Sequence, residues 1–313
     1  MAWRFGLAAA MLIGASGLAA QAPQGTLPLA RRALAATMMD GHVYVAGGWN
    51  AAATQYARVD ELDIATRRWA PAPPLGIARS QHSLVAVDGA LWAVGGWSAE
   101  RGLIAEIERW APGERAWRVV ARLPTPRREP GVAVLEGRIV VAGGFSGSSD
   151  ADVDGYSDAV DVYDPRSGSW SQGPALGVAR RGLALVTLDG SLYALCGYNA
   201  WDGYLGTVER WSPGEDSWRT IATALTPRTW ASAIADRGDL VVLGGFDAGG
   251  PRASVERLNV ESGRVCAAIP LRQARAWFGA VALAPGRALT MGGERAGGFS
   301  AGVEINRLAC TPN

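Results

Sequence analysis

The sequence predicts an all-β fold, a six-bladed β-propeller built of four-stranded antiparallel blades, and three observations predict it. A unit of turn, apolar run, glycine doublet and aromatic residue, first seen as Asp40-Gly41-His42-Val43-Tyr44-Val45-Ala46-Gly47-Gly48-Trp49, returns five more times, most weakly at residues 286–294. The first doublet positions fall at 47, 95, 143, 196, 244 and 292, in steps of 48, 48, 53, 48 and 48. Each unit opens on an arginine (Arg31, Arg79, Arg127, Arg180, Arg228, Arg275), 16 residues before the doublet and 17 in the last. A fixed period of this length marks stacked copies of one supersecondary unit. Four short antiparallel strands per copy make a propeller blade.

Each element of the unit has its own signal. After the arginine, a short run of small and β-branched residues, such as 33–39 or 131–135, reads as strand A. Asp40-Gly41, Asp88-Gly89, Glu136-Gly137 and Asp189-Gly190 then lead into strand B, which carries the doublet. Such dipeptides between apolar runs are hairpin signals. Strand C holds an apolar-acidic pair: Val59-Asp60, Ile107-Glu108, Val160-Asp161, Val208-Glu209, Val255-Glu256 and Val303-Glu304. Strand D opens on Trp69, Trp117, Trp170 or Trp218. The last unit has only five residues after Leu308, too few for a strand D. Residues 23–29 precede Arg31 as 71–76 precede Arg79, so they are expected to supply the missing outer strand, where Pro23 and Pro28 are tolerable.

The doublets, the aromatic residue three positions upstream (Tyr44, Trp92, Tyr193), the acidic strand C and the tryptophan opening strand D resemble the kelch repeat. The resemblance spans residues 23–313 and implies a six-bladed kelch propeller of the exported bacterial type. Two positions depart from the pattern: Cys196 replaces the first glycine of the fourth doublet, and Cys266 stands where blade five would carry its tryptophan.

Residues 1–22 stand apart. Arg4, the apolar stretch 5–18 and the small-x-small Ala20-Gln21-Ala22 read as a secretory signal cut after Ala22. The expected mature protein, residues 23–313, is periplasmic or secreted, with no other apolar run long enough to cross a bilayer. The basic residues number 30, all of them arginine, against 29 acidic ones, for a net charge of +1. That balance offers no basic stripe for nucleic acid. In an oxidising compartment a Cys266–Cys310 bridge is one state and two free thiols the other, while Cys196 reads as a buried free thiol.

An antiparallel meander puts the D-to-A and B-to-C connections on one face, and variable loops on a rigid scaffold are where binding resides. Arg79, Arg127, Arg180 and Arg228 are candidates for an anion-binding ring there; their alternative role is to pair with the strand C carboxylates. Trp49, Trp97, Trp201, Tyr204, Trp230 and Trp277 offer flat apolar platforms for a protein or sugar ligand. The third B-to-C loop carries Asp150, Asp152, Asp154, Asp158 and Asp161 at the spacing of a calcium loop, although the final position is usually Glu.

Catalytic patterns are sparse. With only His42 and His82, no serine triad can be argued, and the copper site of kelch oxidases of the galactose oxidase type is not readily supplied. The resemblance implies one enzymatic alternative, a sugar mutarotase or epimerase similar to N-acetylneuraminate mutarotase. Glu129, beside Arg127 and Arg128, is the acid-base candidate for it. The leading expectation is a binding or interaction module for a protein or carbohydrate.

Overall fold

The computed structural model describes residues 26–52 and 54–311. The expected signal segment 1–22 lies outside them. Among the described residues six antiparallel sheets of three or four strands stand around a central channel, with four two-stranded ribbons in the loops, and in each of the first five blades the strands run A-B-C-D in order. Blade one comprises Ala35–Met39, His42–Ala46, Val59–Asp63 and Arg68–Ala72. Blade three shows the same order in Gly131–Leu135, Arg138–Ala142, Val160–Asp164 and Ser169–Gln172. The innermost strands, Ala35–Met39, Ser83–Val87, Gly131–Leu135, Ala184–Leu188, Ser232–Asp236 and Gly279–Ala284, touch one another in sequence, and the sixth returns to the first.

The turn chemistry is as the sequence predicts. Asp40 and Gly41 both have positive φ, 51° and 79°, between Met39 and His42, which face each other in register. A two-residue turn with both central residues left-handed matches the twist of the flanking strands. Asp88-Gly89, Glu136-Gly137 and Asp189-Gly190 repeat it. The doublet serves a different purpose. A side chain on Gly95 or Gly143 would lie 2.7 Å from the carbonyl oxygen of the next blade's arginine. The second doublet residue donates its N–H to that carbonyl in every blade, including the fourth, where Cys196 takes the first position at φ 61°. Gly48 bonds Arg79, Gly96 bonds Arg127, Gly144 bonds Arg180, Gly197 bonds Arg228, Gly245 bonds Arg275, and Gly293 closes the circle on Arg31.

The six repeated arginines are the largest fully buried side chains, at 0–1% exposure. Each pairs with the strand C carboxylate of its own blade: Arg31 with Asp60 at 2.8 Å, Arg79 with Glu108 at 2.7 Å, Arg127 with Asp161 at 2.6 Å, then Arg180 with Glu209, Arg228 with Glu256 and Arg275 with Glu304. A buried guanidinium is tolerable only when paired and hydrogen-bonded. Arg79, Arg127, Arg180 and Arg228 are therefore not an anion ring on the rim. Their alternative role holds, and they clamp strand A to strand C.

Ring closure uses both chain ends. Leu27 is buried and donates its N–H to Ala301 O at 2.8 Å, as Leu75 does to Ala57, Leu123 to Ala105 and Leu271 to Ala253 in other blades. The N-terminal segment thus docks on blade six at the repeat's own position. Among the described residues that blade has three strands, Gly279–Ala284, Arg287–Met291 and Val303–Arg307, and residues 23–25 of the expected fourth lie outside them. The C-terminal tail turns the other way. Cys310 pairs with Ala268 on the outer strand of blade five, and a disulfide joins it to Cys266, with Cα atoms 5.8 Å apart. Cys196 is free and buried.

Candidate functional site

The residue two places after each buried arginine builds the channel mouth. Ala33, Gln81, Glu129, Gly182, Trp230 and Trp277 all adopt positive φ, between 50° and 62°. Their backbones form a closed circle: Gln81 donates its N–H to Ala33 O, Glu129 to Gln81, Gly182 to Glu129, Trp230 to Gly182, Trp277 to Trp230 and Ala33 to Trp277, at 2.8–3.1 Å. This circle fixes six side-chain positions around one axis, and the residues that fill them vary from blade to blade. The residue between each repeated arginine and the circle is anchored as well. Arg32, Arg128 and Arg181 each exchange two backbone hydrogen bonds with the aromatic residue just after a doublet, Trp49, Phe145 and Tyr198 respectively.

The mouth is a cavity of about 300 Å³ lined by Arg32, Trp49, Trp97, Arg128, Glu129, Asp150, Arg181, Trp230 and Trp277, together with Ser80 and Gln81. A second cavity of about 210 Å³ shares Gln81, Glu129, Trp230 and Trp277 with the mouth and extends between strand A residues such as Ala35, Ala184 and Ala280. Glu129 lies at the floor of the mouth. Its Oε1 accepts from Gln81 Nε2 at 2.8 Å and its Oε2 from Trp230 Nε1 at 2.8 Å, with Arg181 Nε 3.7 Å away. Burial pushes its carboxyl above the usual range, and the nearby Arg181 only partly offsets this. The Trp230 indole reaches Glu129 by crossing Gly182, where a Cβ would lie 2.7 Å from Trp230 Cδ1. Trp230 also stacks on Trp277 with ring centres 3.7 Å apart.

Of the aromatics expected on this face, Trp49, Trp97, Trp230 and Trp277 meet in the mouth with Glu129. Trp201 and Tyr204 do not. Trp201, 61% exposed, lies edge-on to Tyr156, and Tyr204 packs on Tyr198, forming a second aromatic cluster on the outer loops. The aspartates of the expected calcium loop diverge. Asp161 is buried against Arg127, Asp150 reaches Arg128 and Arg181, and Asp152 accepts from the Ser148 N–H. Asp154 sits in the 3-10 turn Val153–Gly155. Among the described residues no three His, Cys, Asp or Glu side chains converge to hold a metal, because the strongest partners within reach of two of the aspartates are guanidiniums. His42 pairs with Glu61, while His82 lies in the channel wall with neither ring nitrogen hydrogen-bonded and is held neutral by burial.

Arg32 and Arg181 escape a reading based on the repeated arginines alone, although the sequence marks them. An arginine directly follows the repeated one in only three units, Arg31-Arg32, Arg127-Arg128 and Arg180-Arg181. Arg32 pairs with Glu294 and lies 4.6 Å over both Trp49 and Trp277.

Fold and mouth together define a class: a propeller with a uniform scaffold of strands and a variable, polar and aromatic loop face. The kelch motif model matches residues 30–76, 78–124, 126–177 and 179–224, more than half of the chain, and the chain belongs to the kelch family. It is 40% identical over 94 residues to Kelch-like protein 26 of Mus musculus, which is 30% of this chain and 15% of that protein. It is 32% identical over 83 residues to Kelch repeat protein M-T8 of Myxoma virus (strain Lausanne), 26% of this chain and 16% of that one. The chain therefore matches only a small part of either relative's length. A solved structure described as "Structure of YjhT" superposes with a TM-score of 0.75 at 16% identity, over 91% of this chain and 100% of the other. That likeness concerns the fold. Among the described residues no helix is long and apolar enough to cross a membrane.

Proposed function

We propose that this protein is an exported binding module, periplasmic or secreted, whose D-to-A and B-to-C loop face holds a protein or carbohydrate ligand. The observation that carries this is the channel mouth, where four tryptophans, three arginines and two carboxylates surround one cavity. Flat apolar walls with a few convergent polar groups are the usual make-up of a ligand site. The N-terminal pattern at residues 1–22 supports export, and the Cys266–Cys310 bridge is compatible with an oxidising compartment. The test is a thermal-shift screen against neutral and acidic sugars and candidate envelope proteins, since a ligand of the folded state raises the melting temperature. A shift that disappears in Trp277→Ala supports the reading. Shifts insensitive to Trp277→Ala and Trp97→Ala would remove the mouth from it.

A second reading, a sugar mutarotase or epimerase, is favoured by one feature. Glu129 is a buried carboxyl at the mouth, and burial makes it hold its proton more tightly than an ordinary carboxylate, as an acid-base group would need. Exchange between the anomers of N-acetylneuraminate, followed by NMR, would rise above the uncatalysed rate and fall back in Glu129→Gln. An unchanged rate with the parent protein ends this reading.

A further inference from the structure

We infer that Arg128 and Arg181 form a carboxylate-binding site for a small acidic ligand, and that the chain's own Asp150 holds the ligand's place in this structure. The inference rests on the loop face being the binding face and names the chemical class it takes.

Two guanidiniums converge on one oxygen. Arg128 Nη2 lies 2.6 Å and Arg181 Nη1 2.5 Å from Asp150 Oδ1. Such convergence is the arrangement that recognises a carboxylate. The arginines do not owe their position to Asp150. Arg181 lies 4.8 Å over Phe145, 5.6 Å over Tyr156 and 5.9 Å over Tyr198, and Arg128 lies 5.1 Å over Phe145. Their backbones are fixed by the paired hydrogen bonds to Phe145 and Tyr198. Their side chains are only 15% and 10% exposed.

Asp150 has the opposite character. Its side chain is 71% exposed and comes from the B-to-C loop that is five residues longer than its counterparts. Among the described residues its side-chain hydrogen bonds run to these two arginines alone. An exposed side chain on a long loop is cheaply withdrawn, whereas the stacked guanidiniums stay. The Nε atoms of both arginines are buried, so each guanidinium meets the loop face through its Nη atoms. The one opposing charge is Glu129, 3.7 Å from Arg181 Nε, and it is held back by Gln81 and Trp230.

The neighbouring walls fit the body of such a ligand. Trp97, Trp230 and Trp277 line the same cavity, and their rings, two of them already stacked on each other, give it apolar walls against which the body of a ligand can pack. A cavity of about 300 Å³ suits a single compact unit better than an extended peptide.

Isothermal titration of the chain with D-glucuronate, D-glucose and hexaglutamate tests this, using the parent, Asp150→Asn and Arg128→Ala. An exposed ion pair closes with a small equilibrium constant, so removing the competing carboxylate tightens glucuronate binding by about two- to sixfold. Arg128→Ala weakens it by about tenfold or more, and a melting curve confirms that the variant is folded. Glucose is indifferent to both changes. Glucuronate affinity unchanged or weakened in Asp150→Asn overturns the proposal, as does a gain seen for hexaglutamate and not for glucuronate. If a neutral sugar or a protein binds in a manner lost with Trp277→Ala but unaffected by Asp150→Asn and Arg128→Ala, the carboxylate site fails while the face stands. Failure of every ligand to depend on Trp277 removes the face itself.

Discussion

Gly182→Ala is predicted to destabilise the protein by about 2–4 kcal/mol, because the Trp230 indole crosses the Cα of Gly182. The backbone there is left-handed, at φ 62°, and an alanine in that region costs about 1 kcal/mol relative to glycine. That is not prohibitive, since Ala33 occupies the equivalent place at φ 51°. Steric overlap costs more. A Cβ at 182 would lie 2.7 Å and 2.8 Å from Trp230 Cδ1 and Nε1, and would overlap Thr229 Oγ1. Moving the indole breaks its 2.8 Å bond to Glu129 and leaves a buried carboxyl oxygen unsatisfied, worth about 1–3 kcal/mol. Urea unfolding followed by tryptophan fluorescence measures the loss, with Ala33→Gly as the matched control, expected within about 1 kcal/mol of the parent. If Gly182→Ala costs no more than that control, the indole does not need the space and the reasoning fails.

Three further outcomes follow from the same packing. Because burial raises the Glu129 pKa, the folded state holds that proton more tightly than the unfolded chain; stability from this group is fully present below the ordinary carboxylate value of about 4.3 and declines as pH rises towards the folded value. Glu129→Gln removes this slope, which unfolding free energies measured from pH 4 upwards would reveal. Leu27→Ala empties a fully buried position on blade six and should cost about 2–5 kcal/mol by calorimetry or urea unfolding; a neutral effect would show that blade six closes without it. Arg79→Met strands Glu108 in the interior with only backbone N–H partners, for an expected loss of about 3–5 kcal/mol, while a change under 1 kcal/mol would contradict a structural pair.

The scaffold is legible in the sequence because its signals are local and repeated. Asp40-Gly41 encodes a turn within two residues, and Gly95 encodes a left-handed backbone and a close approach to the next blade, a place that only Cys196 fills with a side chain among the six doublets. The roles of charged residues are less legible, since a period says that Arg79 serves every blade but not whether its guanidinium faces water or Glu108. The acidic partner in strand C is the deciding clue, as both members of the pair recur at the same spacing. The calcium pattern misleads for a related reason. Asp161 satisfies the spacing, but it is also the strand C carboxylate that Arg127 requires. Asp150 sits at the first loop position, but its oxygen is taken by Arg128 and Arg181, and its fellow aspartates share no common centre with it.

What sets the mouth apart is therefore what the repeat does not impose. The backbone circle through residues 33, 81, 129, 182, 230 and 277 is the same in all six blades, so the scaffold constrains the positions and leaves their side chains free to differ. Alanine, glutamine, glutamate, glycine and two tryptophans occupy them, and each choice has a local consequence. Glycine opens the path for Trp230, Trp230 and Gln81 hold Glu129, and Glu129 keeps one carboxylate beside Arg181. Substituting the buried arginines tests the fold. Substituting the arginines beside the circle, Arg128 and Arg181, or Asp150 tests the function, and stability measurements separate the two because the buried pairs cost several kcal/mol and the exposed Asp150 contacts about 1 kcal/mol or less.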